Sequence, residues 1–167
     1  MIVAVNLSKE KLVWVLLRLS MSAIFLWAFF DKVFGLGFAT SPEKAWLSGG
    51  SPTTGFLKFA TYGPFKPFFE GLAGNVWIDW TFMLGLLLLG TALLLGIVMR
   101  LAAYVGTLLM LLMWLSLFPP KNNPLIDEHI IYALVFWGLY FSKSGEIWGL
   151  RKWWSKTSLV KKFPFLE

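Results

Sequence analysis

The chain has 167 residues, of which 57% are hydrophobic and 14% charged. Ordinary soluble domains carry roughly 25% charged residues, so this composition indicates a membrane protein whose surface is largely covered by lipid. With no cysteine and one histidine, the sequence excludes disulfides and iron–sulfur ligation and does not favour a metal site built from this chain alone. The net charge of +6 does not indicate nucleic-acid binding, because in a membrane protein the position of basic residues matters more than their sum. We expect these basic residues to contact the membrane surface.

Four apolar segments are predicted to cross the membrane, since a span needs roughly 20 apolar residues. The second and third form one run over residues 80–120, interrupted by a single charge at Arg100. The predicted spans are 12–30, 76–99, 101–118 and 124–141, the last being the shortest, with Pro124 in its first turn. We therefore predict an all-α fold: a four-transmembrane-helix bundle that makes residues 1–167 a single integral membrane domain.

The distribution of basic residues predicts the orientation. Four spans place both termini and the Arg100 turn on one side, where nine of the fifteen basic residues lie. The positive-inside rule then predicts cytoplasmic termini in a multi-pass protein of the cell membrane. In the cytoplasmic tail, residues 142–167, tryptophan and leucine alternate with arginine and lysine between Ile147 and Lys156, which is typical of an amphipathic helix at the lipid surface.

A long extracytoplasmic loop, residues 31–75, is predicted between the first two spans, and loops of this length usually have structure of their own. Residues 40–55 are polar and rich in turn-forming residues. Further on, Phe65, Phe68, Phe69 and Leu72 have the spacing of one helix face. Two interpretations remain open: these aromatics anchor or pack the loop, or they form a lid over a quinone, which stacks on aromatic rings.

Ionisable residues near the membrane are the candidate site residues. Arg18 lies inside the first span, where an arginine either snorkels to the headgroups or has a pairing or substrate role. At the outer end a polar cluster is predicted, because a bundle brings the ends of its helices together. Its members are Asp31, Lys32, Asp79, Asp127, Glu128 and His129. A histidine beside a carboxylate could exchange protons with a reduced quinone; alternatively, the acids stabilise a helix N-terminus and His129 is structural.

Several stretches resemble the DoxX/DoxD family of small membrane proteins. They are Leu17-Arg18-Leu19, Asp31-Lys32-Val33-Phe34-Gly35, Ser41-Pro-Glu-Lys-Ala-Trp-Leu-Ser-Gly-Gly-Ser-Pro-Thr-Thr-Gly55, Met99-Arg100-Leu101 and Pro119-Pro-Lys-Asn-Asn-Pro-Leu-Ile-Asp-Glu-His-Ile-Ile-Tyr132. The resemblance implies a four-helix membrane bundle, in some members the DoxD-type subunit of thiosulfate:quinone oxidoreductase, which oxidises thiosulfate to tetrathionate and reduces quinone. It supplies no catalytic residue that can be assigned here, and no segment matches the DoxA-like partner.

Two functions are therefore expected. The first is a membrane subunit of a quinone-linked respiratory or sulfur-oxidising complex, with Arg18 or His129 as donors to the quinone or to an anionic sulfur substrate. The alternative is a non-catalytic accessory subunit of a larger respiratory complex such as a terminal oxidase. The chain holds no redox cofactor of its own, so quinone is the one cofactor expected. The expected partners are lipid, DoxA-like or terminal-oxidase subunits, or further copies of the chain, which glycines at 85, 90, 96 and 106 would allow to approach closely.

Overall fold

The computed structural model describes residues 8–167, and this part of the chain is helical, with no strand. Short helical segments lie between the first two of its four long helices and again after the fourth. The helices are α1 (Lys9–Phe34), α2 (Lys66–Gly71), α3 (Val76–Leu95), α4 (Met99–Ser116), α5 (Glu128–Phe141), α6 (Arg151–Trp154) and α7 (Ser158–Lys162).

Three of the long helices, α1, α3 and α4, are long and apolar enough to cross a membrane. Helix α5 is equally apolar but has 14 residues, which extend about 21 Å at 1.5 Å per residue. The chain is thus a membrane protein with three candidate spans and one shorter apolar helix. The predicted fourth span began at residue 124, but Asp127 is the N-cap of α5, so Pro124 lies before the helix.

The other helix boundaries also differ from the predicted ones by a few residues. Helix α1 extends beyond its predicted apolar segment at both ends, because the Ser8 hydroxyl accepts a hydrogen bond from the Lys11 amide and Gly35 ends the helix with a φ of +65°. Helix α3 ends at Leu95, four residues earlier than predicted, because Gly96 adopts the left-handed conformation. These glycine and serine caps determine the ends more closely than hydropathy does.

The four long helices contact one another: α1 packs on α3, α4 on α5, and smaller contacts join α3 to α4 and α1 to α5. Their buried faces meet around the Phe25 and Phe136 rings, whose centroids are 5.6 Å apart. Glycine allows close approach at several points. A Cβ at Gly106 would lie 2.4 Å from the Phe136 ring, and one at Gly90 would lie 2.7 Å from Leu26.

The long loop consists of short helical segments. Two 3₁₀ turns, Pro42–Lys44 and Trp46–Ser48, precede a five-residue π-helical turn, Phe56–Ala60, and then α2. The Ser41 hydroxyl donates a hydrogen bond to the Glu43 carboxylate and so lowers the pKa of Glu43. Residues 31–75 thus contain several short helical segments between α1 and α3.

The C-terminal segment is a series of short turns, not the continuous amphipathic helix that its sequence suggested between Ile147 and Lys156. Within that region only the four residues of α6 are helical, and a 3₁₀ turn, Ser144–Glu146, precedes it. The segment is tied to the rest of the molecule, because the Leu150 amide donates to the Leu95 carbonyl at 2.7 Å and the Arg100 amide donates to the Glu167 carbonyl at 3.2 Å. Trp148 and Trp153 remain exposed, as expected for interfacial tryptophans.

Candidate functional site

Arg18 is fully buried among the long helices and binds only backbone carbonyls. Its Nη1 donates to the carbonyls of Leu93, at 2.6 Å, and Leu94, at 3.0 Å. Its Nη2 donates to those of Ile147, at 3.1 Å, and Trp148, at 2.9 Å. Within residues 8–167 it has no carboxylate partner.

The acceptors of Arg18 explain how a guanidinium can be held at this depth. Leu93 and Leu94 belong to the last turn of α3, where unpaired carbonyls form the negative end of the helix dipole. The space is tight, since a Cβ at Gly96 would lie 2.8 Å from Arg18 Nη1. Arg18 therefore joins three chain segments. Its two terminal nitrogens are already engaged, which argues against the expected role as a donor to a quinone or a sulfur anion.

Asp31 fastens the start of the long loop to α1. Its carboxylate is buried and accepts hydrogen bonds from the amides of Phe38, at 3.2 Å, and Ala39, at 3.0 Å. Each carboxylate oxygen therefore binds one amide of the returning chain. This arrangement is a structural anchor, and the sequence analysis did not identify its partners.

Asp79 fastens the middle of the same loop to the first turn of α3. One oxygen of its buried carboxylate accepts hydrogen bonds from the Ser51 and Thr53 hydroxyls. Ser51 and Thr53 lie in the turn-rich stretch, so the sequence signal that could have found them is the pair of hydroxyls flanking Pro52. Asp31 and Asp79 together hold residues 36–53 over the ends of the helices.

Asp127 and His129 pair with each other at the start of α5. Asp127 caps the helix by accepting from the His129 amide, at 3.0 Å, and from the Ile130 amide, at 3.4 Å, and its other oxygen lies 2.9 Å from His129 Nδ1. Glu128 is exposed. Among residues 8–167, no hydrogen bond or ion pair links these three residues to Asp31, Lys32 or Asp79. The predicted members of the polar cluster therefore make separate local contacts and are not joined in one network.

A cavity of about 430 Å³ lies between the long loop, α3 and α4. Its walls are mainly aliphatic and aromatic. Phe68 and Phe69, two of the three predicted lid aromatics, line it together with Phe56 and Phe82. Phe65 does not line the cavity; its ring packs near that of Phe118, with centroids 6.4 Å apart. Phe65 does not share a helix face with Phe68 and Phe69, because it lies just before α2, which begins at Lys66.

Lys32 is the ionisable residue on the wall of this cavity. No other ionisable side chain of the described residues lines it, and within residues 8–167 Lys32 takes part in no ion pair. Sequence reasoning placed Lys32 in the polar cluster. No pattern in the sequence places Lys32 beside a cavity, because the other walls come from the long loop and from α3 and α4.

Polar groups on the cavity wall are few. Thr53 and Ser116 line it, but the Thr53 hydroxyl donates to Asp79 and the Ser116 hydroxyl donates to the Met113 carbonyl. Thr81 contributes a further hydroxyl. Among the described residues, the walls of the cavity are therefore apolar apart from Lys32 and the hydroxyl-bearing Thr53, Thr81 and Ser116. Such a cavity suits an amphiphile with a hydrogen-bond-accepting head.

A metal centre is not evident in the described part of the chain, where no group of three or more histidine, aspartate or glutamate side chains is placed to hold an ion. Comparison of the chain with protein-family models, with curated proteins and with solved structures finds no match.

Proposed function

We propose that the chain is a quinone-binding membrane subunit of a quinone-linked respiratory or sulfur-oxidising complex, similar to the DoxD-type subunit of the DoxX/DoxD family. The observation that carries the proposal is the apolar, aromatic-walled cavity with Lys32 on its wall. Its volume of about 430 Å³ lies within the range of small-molecule sites. The family resemblance of the sequence supports the same assignment.

In this proposal α5 is the fourth span and the four long helices form one bundle. The contacts of α5 with α4 and α1 support this arrangement. Both termini are then cytoplasmic, because basic residues are concentrated on the side of the Arg100 turn and the C-terminal segment. The long loop, and with it the roof of the cavity, lies on the extracytoplasmic side.

A quinone would lie with its ring among Phe56, Phe68 and Phe82 and with a carbonyl oxygen toward Lys32. The isoprenoid tail would leave between α3 and α4, where Leu108 and Leu112 line the cavity and are also exposed on the outer surface of the molecule. Lipid reaches this surface in a membrane, so the ligand enters from the bilayer without passing through water.

Electrons must reach the quinone from a partner subunit. The sequence has no cysteine, and within residues 8–167 no metal-binding cluster is present. A DoxA-like subunit or a terminal-oxidase subunit would supply the redox groups. In the sulfur-oxidising version, thiosulfate is oxidised at that partner or at its interface with this chain.

The test is purification from native membranes in mild detergent, followed by mass spectrometry of bound quinone, haem and copurifying proteins. We expect near-stoichiometric quinone in the wild type. Gly85→Leu should lower the quinone content about ten-fold, because Gly85 lines the cavity and a side chain there meets open space. Ala23→Leu is the control, since Ala23 lies on α1 outside this cavity. Wild-type protein without quinone would overturn the proposal.

An accessory, non-catalytic subunit is the second candidate. The observation that favours it is that the buried charges Arg18, Asp31 and Asp79 are all bound by groups of the same chain. Charges bound in this way stabilise the fold. The same purification distinguishes the two functions, because this one predicts oxidase or cytochrome subunits in fixed ratio and no bound quinone.

A further inference from the structure

We propose that Lys32 makes the cavity selective for ligands whose head group is anionic, over neutral ligands of the same shape. The inference rests on the proposed function in taking the head group to be a quinone-type ring. It goes further by assigning the selecting residue and the preferred charge. The ligand class is an ionised ring-and-tail amphiphile, such as a hydroxyquinone anion.

The first step is that Lys32 is the one cationic residue in the described part of the chain that lines this cavity. The nearest acid in sequence, Asp31, has both carboxylate oxygens bound by the Phe38 and Ala39 amides. Within residues 8–167 no carboxylate lies within ion-pair distance of Lys32. Lys32 therefore has no ion-pair partner among the described residues, and its one neighbouring acid, Asp31, acts on it only through its charge at longer range.

The second step concerns the surroundings of this charge. The cavity that Lys32 lines is walled mainly by apolar side chains, among them Phe56, Leu57, Phe69 and Leu89. In such a medium of low polarity, an unpaired ammonium is costly and an opposite charge near it is strongly attracted. Both a neutral carbonyl and an anionic head can accept a hydrogen bond from the ammonium, but only the anion adds the attraction between opposite charges, which is strong in a medium of low polarity.

The third step is that the other polar groups on the wall do not impose a competing preference. The Thr53 and Ser116 hydroxyls donate to acceptors of the protein. Thr81 can donate to either form of a ligand head, so it does not discriminate between them. Selection by charge thus depends on Lys32.

The experiment compares two ligands that differ in charge but hardly in shape. The anionic probe is 2-hydroxy-3-undecyl-1,4-naphthoquinone, a vinylogous acid that is ionised at neutral pH, and the neutral probe is its methyl ether. Their affinities are measured by tryptophan fluorescence quenching on the full chain in nanodiscs of zwitterionic lipid. We expect the wild type to bind the anion about ten-fold more tightly, which corresponds to about 1.4 kcal/mol.

Substitutions then test whether Lys32 causes the preference for the anionic probe. Lys32→Met should bind both probes with equal affinity, while Lys32→Arg should keep the preference. Lys44→Met is the control, because Lys44 is an exposed lysine of the same loop that does not line the cavity. If Lys32→Met fails to fold, Lys32→Gln serves in its place, since the amide keeps a donor but loses the charge.

The outcomes separate this inference from the proposed function. Binding of both probes without preference, or a preference that persists in Lys32→Met, overturns charge selection and leaves quinone binding intact. Binding of neither probe overturns the quinone site itself. Dodecanoate and its methyl ester form a third arm: if dodecanoate binds as tightly as the hydroxyquinone and loses affinity in Lys32→Met, charge selection holds and the preference for a ring is rejected.

Discussion

Arg18 connects α1 to the end of α3 and to the segment after α5 through backbone carbonyls. Four acceptors converge on its two terminal nitrogens. The planar guanidinium suits this geometry, because it presents several donors in one rigid group, whereas a lysine would present a single ammonium. We infer from these contacts that Arg18 contributes to the folded structure and does not bind a ligand.

Replacing Arg18 tests that conclusion. Arg18→Met should destabilise the protein by about 3 kcal/mol or more, since several buried carbonyls lose their donor at once. Arg18→Lys should be intermediate. Unfolding in detergent, followed by tryptophan fluorescence, measures the loss. Quinone bound per folded molecule should stay unchanged, so normal stability with lost quinone would instead make Arg18 a ligand donor.

Two buried carboxylates on different helices, Asp31 on α1 and Asp79 on α3, hold the long loop in place. Asp31 binds the loop near its start and Asp79 binds it near residue 52. These anchors determine where the aromatic part of the loop lies, including the residues that roof the cavity. The conformation of the loop should therefore depend on two side chains of the helices, Asp31 and Asp79.

Loss of the Asp79 anchor should loosen the loop without unfolding the helices. In Asp79→Ala, amide hydrogen exchange over residues 51–60 should be about ten-fold faster, because two hydrogen bonds to a charged group are lost. Exchange in α4 should not change. Glu70→Ala is the control, since Glu70 is an exposed acid of the same loop. Equal exchange in Asp79→Ala and wild type would contradict the anchoring role.

Two glycines with the same predicted role in helix packing, Gly85 and Gly106, have different surroundings in the structure. A Cβ at Gly106 would collide with the Phe136 ring, whereas a Cβ at Gly85 meets nothing within 4 Å. Gly106→Ala should therefore cost about 1–3 kcal/mol through overpacking. Gly85→Ala should cost nothing, because alanine favours the helix more than glycine does. Unfolding in detergent measures the free energy of unfolding of both variants. If the two variants lose the same amount, Gly106 and Phe136 are not in the close contact described here.

Sequence predicted the elements of this fold better than the contacts of its polar residues. Hydropathy located α1, α3 and α4, because their apolar composition differs from the polar segments around them. It did not reveal the partners of Arg18, because backbone carbonyls belong to every residue and leave no pattern. Nor did it place Lys32 beside a cavity, since that position depends on how the long loop folds back over α3 and α4.

For the whole molecule, the length of α5 raises the question of whether the chain crosses the membrane four times. Its extent of about 21 Å is shorter than a hydrocarbon core of about 30 Å, but a short span is accommodated by local thinning of the bilayer. Four crossings place the long loop and the C-terminal segment on opposite sides. Three crossings place them on the same side.

Cysteine labelling decides between these topologies, and the chain suits it because it contains no native cysteine. Ser48→Cys, in the long loop, and Ser158→Cys, at the start of α7, both replace exposed residues. With a membrane-impermeant maleimide, we expect Ser48→Cys to be labelled in intact cells and Ser158→Cys only after permeabilisation. Labelling of both in intact cells would mean that α5 does not span, because the C-terminal segment would then share the side of the loop. The reverse pattern would keep four spans but invert the orientation, and the cavity would then be roofed on the cytoplasmic side.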